Sequence, residues 1–169
     1  MTNPSFHFGE VAAFAAGTIG PRGQRVFYFQ VSDAGSVVAF KLEKQQMKAL
    51  AEYLADMLGD LPPVDVRSVP DPQDLMEPVV AEWAVGAMGV EFKTDLDHFV
   101  LIAEEFDDGD EDQPEDDEDR PATLRFAIDR GQASAFITQA RELVDAGRPP
   151  CPYCGRPWEP TDNFCPCYN

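Results

Sequence analysis

The sequence predicts an α+β fold: an antiparallel sheet built from two strand-strand-strand-helix halves, followed by a small cysteine-rich appendage. Three observations predict it. Short apolar stretches rich in β-branched and aromatic residues recur between Gly, Pro and Asp turn signals. Twice, three such stretches give way to a helix-period stripe ended by glycine. All four cysteines fall in the last nineteen residues.

Residues 5–16, SFHFGEVAAFAA, read as a first strand that runs into a turn at Gly17, Gly20, Pro21 and Gly23. Arg25–Ser32 is a second strand, Asp33-Ala34-Gly35 a turn, and Ser36–Leu42 a third strand. Such short returns favour an antiparallel meander. The period changes at Glu43. Met47, Leu50, Leu54 and Met57/Leu58 then recur at three- and four-residue steps until Gly59, which makes an amphipathic helix whose stripe packs on the sheet.

Leu61–Pro78 carries five prolines and reads as a connector, with room for one helical turn near Gln73–Met76. Val80–Lys93 is a strand in which Gly86 and Gly89 suggest a bend. His98–Phe106 and Ala122–Ile128 are the fifth and sixth strands. Asp129 is a candidate N-cap for a second helix that ends at Gly147. The joints Phe40-Lys41-Leu42-Glu43 and Phe126-Ala127-Ile128-Asp129 are alike, so residues 5–59 and 79–147 form a pseudo-repeat of pattern within a domain spanning 1–147. Both helices are expected on one sheet face. The proline-rich connector, sheet curvature or a partner must cover the other.

The chain has 13 Lys+Arg against 31 Asp+Glu, a net charge of −18. That argues against phosphate-tracking nucleic-acid binding and against adsorption to anionic lipid. No apolar run is long enough for a membrane helix, and MTNPSFHFGE lacks the basic-then-apolar order of a secretory signal, so a cytoplasmic protein is expected. Twelve of the acids lie in the 16 residues 104–119, EEFDDGDEDQPEDDED; without them 19 acids face 13 bases. Like charges repel and stay solvated, so this segment reads as a loop between two strands. A solubilising tip, a docking arm for a basic protein partner and a calcium site are the three readings. Asp108-Gly109-Asp110 lacks the ligand spacing of a calcium loop.

In the tail, residues 148–169, the cysteines are spaced Cys-x2-Cys-x10-Cys-x-Cys: Cys151, Cys154, Cys165 and Cys167. A Cys-x-x-Cys turn closed by glycine brings two thiolates onto one ion. Four thiolates suit a closed structural Zn2+ site, a zinc knuckle. Disulfides, a redox pair and an unmetallated tail are the alternatives. Nothing suggests secretion, and Pro149-Pro150 before the motif does not suit a thioredoxin-like helix start. So short a segment has little core of its own. The metal would supply its folding free energy, with Trp158, Phe164 and Tyr168 packed about the ion or the main domain.

No hydrolase, metalloprotease, Walker or dinucleotide motif appears. The glycine-rich segment Gly17–Arg25 resembles a phosphate-gripping turn in composition, but it lies between two strands, where a plain hairpin is the simpler reading. Candidate ligand-binding residues are His7, Glu10, Arg22 and Arg25, with Asp97 as a further member of a cross-strand constellation.

The ordered motifs Phe6-His7-Phe8-Gly9-Glu10, Phe14-Ala15-Ala16-Gly17-Thr18-Ile19-Gly20, Arg25–Gln30, Val37–Glu43 and the Cys-Pro-x-Cys-Gly of the tail resemble an actinobacterial family, the domain of unknown function 3090. The resemblance covers nearly the whole chain and carries no assigned chemistry. Members of that family end in a stretch like Gly-His-x-Cys-Pro-Arg-x-Asn-Gly. Phe164 stands here at the histidine position and Cys167 where arginine is expected. If the family binds zinc through that histidine, Cys167 takes its place as fourth ligand. The family is associated with a histidine-phosphatase-like and a lipid-kinase-like protein in gene neighbourhoods, so the resemblance implies a component of a phosphate-related system. Two functions are expected from this. One is a non-enzymatic adaptor with a zinc-stapled tail. The other is an enzyme or binding protein for a phosphorylated or nucleotide-like small molecule, using the Gly17–Arg25 turn and His7. Nucleic-acid binding by the tail is disfavoured, because only Arg148 and Arg156 lie near it.

Overall fold

The computed structural model describes residues 3–108, 120–147, 149–156 and 167. It contains seven strands and two helices: β1 (Phe6–Glu10), β2 (Ala13–Ile19), β3 (Val26–Asp33), β4 (Ser36–Leu42), α1 (Lys44–Gly59), β5 (Ala81–Lys93), β6 (His98–Glu105), β7 (Thr123–Asp129) and α2 (Arg130–Asp145). The strands form one sheet in the order β1-β7-β6-β5-β4-β3-β2.

The sheet is mixed, which corrects the expected antiparallel sheet. Within each meander the pairing is antiparallel, but β4 pairs with β5 and β1 with β7 in parallel. The reason is the length of the crossover. From β4 the chain passes through α1 and the connector before entering β5, so it returns to the end from which β4 began. The strand count also changes from six to seven, because residues 5–16 are two strands broken at Val11–Ala12.

That break sets the overall curvature. β1 and β2 stand at opposite ends of the strand order, yet only Val11 and Ala12 lie between them. A flat sheet of this width would hold its edges about 29 Å apart, at roughly 4.8 Å per strand. Three steps of extended chain cover only about 11 Å. The sheet therefore curls until its edges nearly meet. Phe14 of β2 accordingly touches Phe126 of β7, with ring centroids 5.0 Å apart. Phe29 and Phe40 fill the same interior at 5.3 Å, and Phe136 of α2 stacks on Phe14 at 4.1 Å. Met47, Leu50 and Leu54 of α1 are buried in this core, as the helix-period stripe predicts.

The two halves repeat one hydrogen-bond register. In the first, Ala39 and Lys41 of β4 lie opposite Ala81 and Ala84 of β5. In the second, Arg125 and Ala127 of β7 lie opposite His7 and Glu10 of β1. The bent pair β1–β2 thus plays the part of the single bent strand β5, which leaves β4 and joins β6 near Gly86. The helix starts match as well. Gln46 Oε1 accepts from the Glu43 N–H at 2.7 Å, and Gln132 Oε1 from the Asp129 N–H at 2.9 Å. Each glutamine then donates to the bend it faces: Gln46 to Val85 O and Gly86 O, Gln132 to Val11 O and Ala12 O. These bonds give backbone carbonyls at the two bends a side-chain donor. Asp129 is the expected N-cap, its Oδ1 accepting from the Gln132 N–H at 2.7 Å.

The connector covers the outer face of β2 and β3. Leu75 lies against Gly17 so closely that a Cβ there would stand 2.4 Å from its Cγ. The buried Gln30 side chain forms two hydrogen bonds with the Met76 backbone, at 2.7 and 3.0 Å. No helical turn forms at Gln73–Met76. The only turn of helix in the described part of the connector is a 3-10 turn at Val66–Ser68, where Asp65 Oδ1 accepts from the Arg67 N–H. The acidic segment begins inside β6, since Glu104 and Glu105 are strand residues; 109–119 lie outside the described residues.

Candidate metal centre

The tail opens with a tight turn whose backbone explains why the cysteines converge. The Gly155 N–H donates to Cys151 O at 2.9 Å, and the Cys151 N–H donates to Arg156 O at 2.8 Å. Gly155 has φ of +71°, a left-handed conformation that costs a residue with a Cβ about 1–2 kcal/mol. Glycine after the second cysteine thus lets the chain fold back, with Cys151 and Cys154 on the same side.

Cys167 joins them. The sulfurs of Cys151, Cys154 and Cys167 all lie within 4.8 Å of one another, and those of Cys151 and Cys167 are 3.8 Å apart. A disulfide would need about 2.05 Å. Four sulfurs each about 2.3 Å from a tetrahedral ion sit about 3.8 Å apart. The three cysteines therefore have the separations of a group able to hold a metal ion. Cys151 is buried, whereas Cys154 and Cys167 are exposed. The fourth candidate, Cys165, lies outside the described residues, as do Trp158, Phe164, Tyr168 and Arg148.

The other candidate residues are spread over the curled sheet and its turns. His7 Nε2 lies 3.3 Å from Thr123 Oγ1 on the exposed face of β1 and β7. Glu10 Oε1 is 2.9 Å from His98 Nε2. Asp97 holds Arg130 at 3.0 Å beside that pair. Arg22 is exposed in the turn before β3. Arg25 belongs to a different corner: its Nη1 donates to Leu143 O at 3.0 Å, its guanidinium lies 5.4 Å from the Phe27 ring centroid, and it lines a cavity of about 530 Å³ with Lys41 and Lys44. Glu10 and Asp97 are thus close to each other through His98 and its neighbour, while Arg25 is not with them.

Over residues 6–165 the chain matches the family described as Protein of unknown function (DUF3090). The chain belongs to this family. No curated protein and no solved structure matches it. The DUF3090 match takes in Cys151, Cys154 and Cys165; Cys167 lies just beyond its last residue. Motif alone singles out the cysteines of this DUF3090 chain but does not bring Lys41 and Lys44 beside Arg25, as the fold does. Their signal is a register: Arg25 falls opposite Lys44 only once Phe27 is known to pair with Leu42.

Proposed function

We propose that this protein is a non-enzymatic interaction component of a phosphate-related system, with a C-terminal tail stapled by zinc. The observation that carries the metal reading is the 3.8 Å between the Cys151 and Cys167 sulfurs, with Cys154 in the same cluster. Cys151, Cys154 and Cys167, with Cys165 as fourth ligand, would hold the ion. Thiolate donors favour zinc over hard cations, and four of them leave no open position for water or substrate, which makes the site structural. Such an ion supplies folding free energy to a segment too short for its own core.

The interaction reading rests on charge. Twelve acids in residues 104–119, among only 13 bases in the whole chain, make an arm suited to a basic protein partner and repelled by nucleic acid and anionic membranes. Among the described residues no helix is long and apolar enough to cross a membrane.

Metal analysis of the intact protein, beside a Cys151→Ser/Cys154→Ser variant, tests the first part. About one zinc per chain, lost in the variant, is expected from a closed four-thiolate site. Metal-free native protein would remove the reading. For the second part, a tagged chain is captured at moderate salt with and without residues 107–119. A basic protein retained by the full chain and lost on the deletion is expected; equal retention, or none, overturns the docking arm.

A further inference from the structure

We propose that the cavity between the start of β3 and the start of α1 binds the phosphate group of a small organic phosphomonoester through Arg25, Lys41 and Lys44. It goes beyond the zinc-stapled reading and stands on separate observations. The cavity measures about 530 Å³ and has Phe27 and Leu42 in its wall. Both are almost fully buried, at 4% and 3% exposure, so the floor is apolar and fixed. That volume falls in the range of small-molecule sites and exceeds what an inorganic anion alone would fill.

The cations are grouped against their own repulsion. A Cβ placed on Gly147 would stand 3.0 Å from Lys44 Nζ and 3.6 Å from Arg25 Nη2, which puts these two positive nitrogens within about 7 Å of each other, where like charges repel. Lys41 lines the same cavity, and among the described residues Glu43 is the one carboxylate that does. Three cations against one carboxylate leave a positive balance in a chain whose net charge is −18. Among the described residues none of the three cations forms an ion pair with a carboxylate. Arg25 has a structural role besides, because it satisfies Leu143 O near the end of α2. That role accounts for Arg25 and leaves Lys41 and Lys44 without one.

The repeat supplies an internal comparison. Phe27 pairs with Leu42 in the first half and Phe99 with Ile128 in the second, so Arg25 corresponds to Asp97 and Lys44 to Arg130. In the second half these positions hold an ion pair: Asp97 neutralises Arg130 at 3.0 Å, and Arg130 also donates to Pro62 O at 2.7 Å. Ala127 stands there in place of Lys41. Where one half closes its corner with opposite charges, the other presents two cations and adds a third. The counter-charge missing among the described residues is the charge of a phosphate dianion, and the apolar floor suits the organic group that carries it.

Calorimetric titration of the full chain with phenyl phosphate and with inorganic phosphate, in 0.1 M sodium chloride at neutral pH, tests this. At that ionic strength the distant acids are screened beyond about 10 Å, so binding reports the cavity. Saturable binding of both is expected, tighter for the ester. Lys41→Ala and Lys44→Ala should each weaken it about tenfold, while Lys48→Ala, one turn further along α1, should not. Arg25→Asp should abolish binding yet keep the fold, because it restores the opposite-charge pairing of the other half. No saturable binding, no preference for the ester, or equal losses in Lys44→Ala and Lys48→Ala would each overturn the proposal. Repeating the titration with Cys151→Ser/Cys154→Ser separates the two sites: binding kept there supports a cavity independent of the metal, whereas binding lost only there overturns it.

Discussion

Gly131, in the first turn of α2, is held by a steric constraint that propensity alone would misjudge. Replacing a helical glycine by alanine ordinarily gains up to about 1 kcal/mol. Here a Cβ would stand 2.1 Å from Ser68 O, a backbone atom of the 3-10 turn that crosses the helix start. Overpacking of that kind costs typically about 1–3 kcal/mol. Gly131→Ala is therefore expected to lower the thermal midpoint; a raised midpoint would mean that the connector yields freely. Gln30 presents the opposite case, a polar side chain 3% exposed whose amide donates once to Met76 and accepts once from it. Gln30→Leu would leave the part-buried N–H and C=O of Met76 without this partner, at a cost of about 1 kcal/mol. Faster hydrogen exchange at the Met76 amide would be the local sign. Unchanged exchange would show that the connector is held elsewhere, by Leu75 on Gly17 or by the Gln139 bond to Gln73 O.

At the scale of elements, α1 and α2 are linked on their exposed sides by Arg141 and Glu52, two parallel hydrogen bonds of 3.1 Å each. The hydrogen bond from Arg141, and then its charge, hold the Glu52 carboxyl below the usual 4.5, while Arg141 itself is raised. A carboxyl depressed in the folded state stabilises the fold above its unfolded pKa and loses that contribution as pH falls through the folded value. The stability difference between the native chain and Glu52→Gln should thus be flat near neutrality, begin to fall near pH 4.5 and be gone only below the lower folded-state pKa. Because both groups face solvent, the difference is small and should shrink with salt. A difference that grew in acid would contradict the pairing. Elements of this kind were legible in the sequence where the signal is local: the Met47–Leu54 stripe, the Asp129 cap and the five prolines all lie where pattern puts them. What pattern did not supply is which strand lies beside which. Alternation assigns residues of β4 and β5 to faces, but parallel and antiparallel neighbours leave the same alternation. The bend at Val11–Ala12 carries no glycine or proline, so nothing in VAAFAA announced it. The cysteine cluster was legible for the converse reason, since its members lie close together in the sequence. The Arg25–Lys44 corner was not, because it exists only through the β3–β4 register.

For the whole molecule, the decisive question is how much the body owes to its tail. The connected core runs from Val11 to Ala140, with Leu143 and Val144 packed at its margin, and includes none of the described residues of the cysteine segment. Its aromatic centre, Phe14, Phe29, Phe40, Phe126 and Phe136, draws on both halves and one helix and is built from residues of the body alone. The tail is in the reverse position, with Cys151 its one buried hydrophobic residue among those described. A strong chelator should therefore separate the two. Thiol titration should find the cysteines newly reactive, while the thermal midpoint of the body moves by no more than the roughly 2–4 °C that 1 kcal/mol is worth at this chain length. Two-state behaviour of the intact protein would then resolve into a tail step set by metal concentration and a body step that ignores it. Collapse of the body on chelation would instead mean that metal held by the tail stabilises the sheet itself. Gly147, which lines the cavity only four residues before Cys151, is where such coupling would enter.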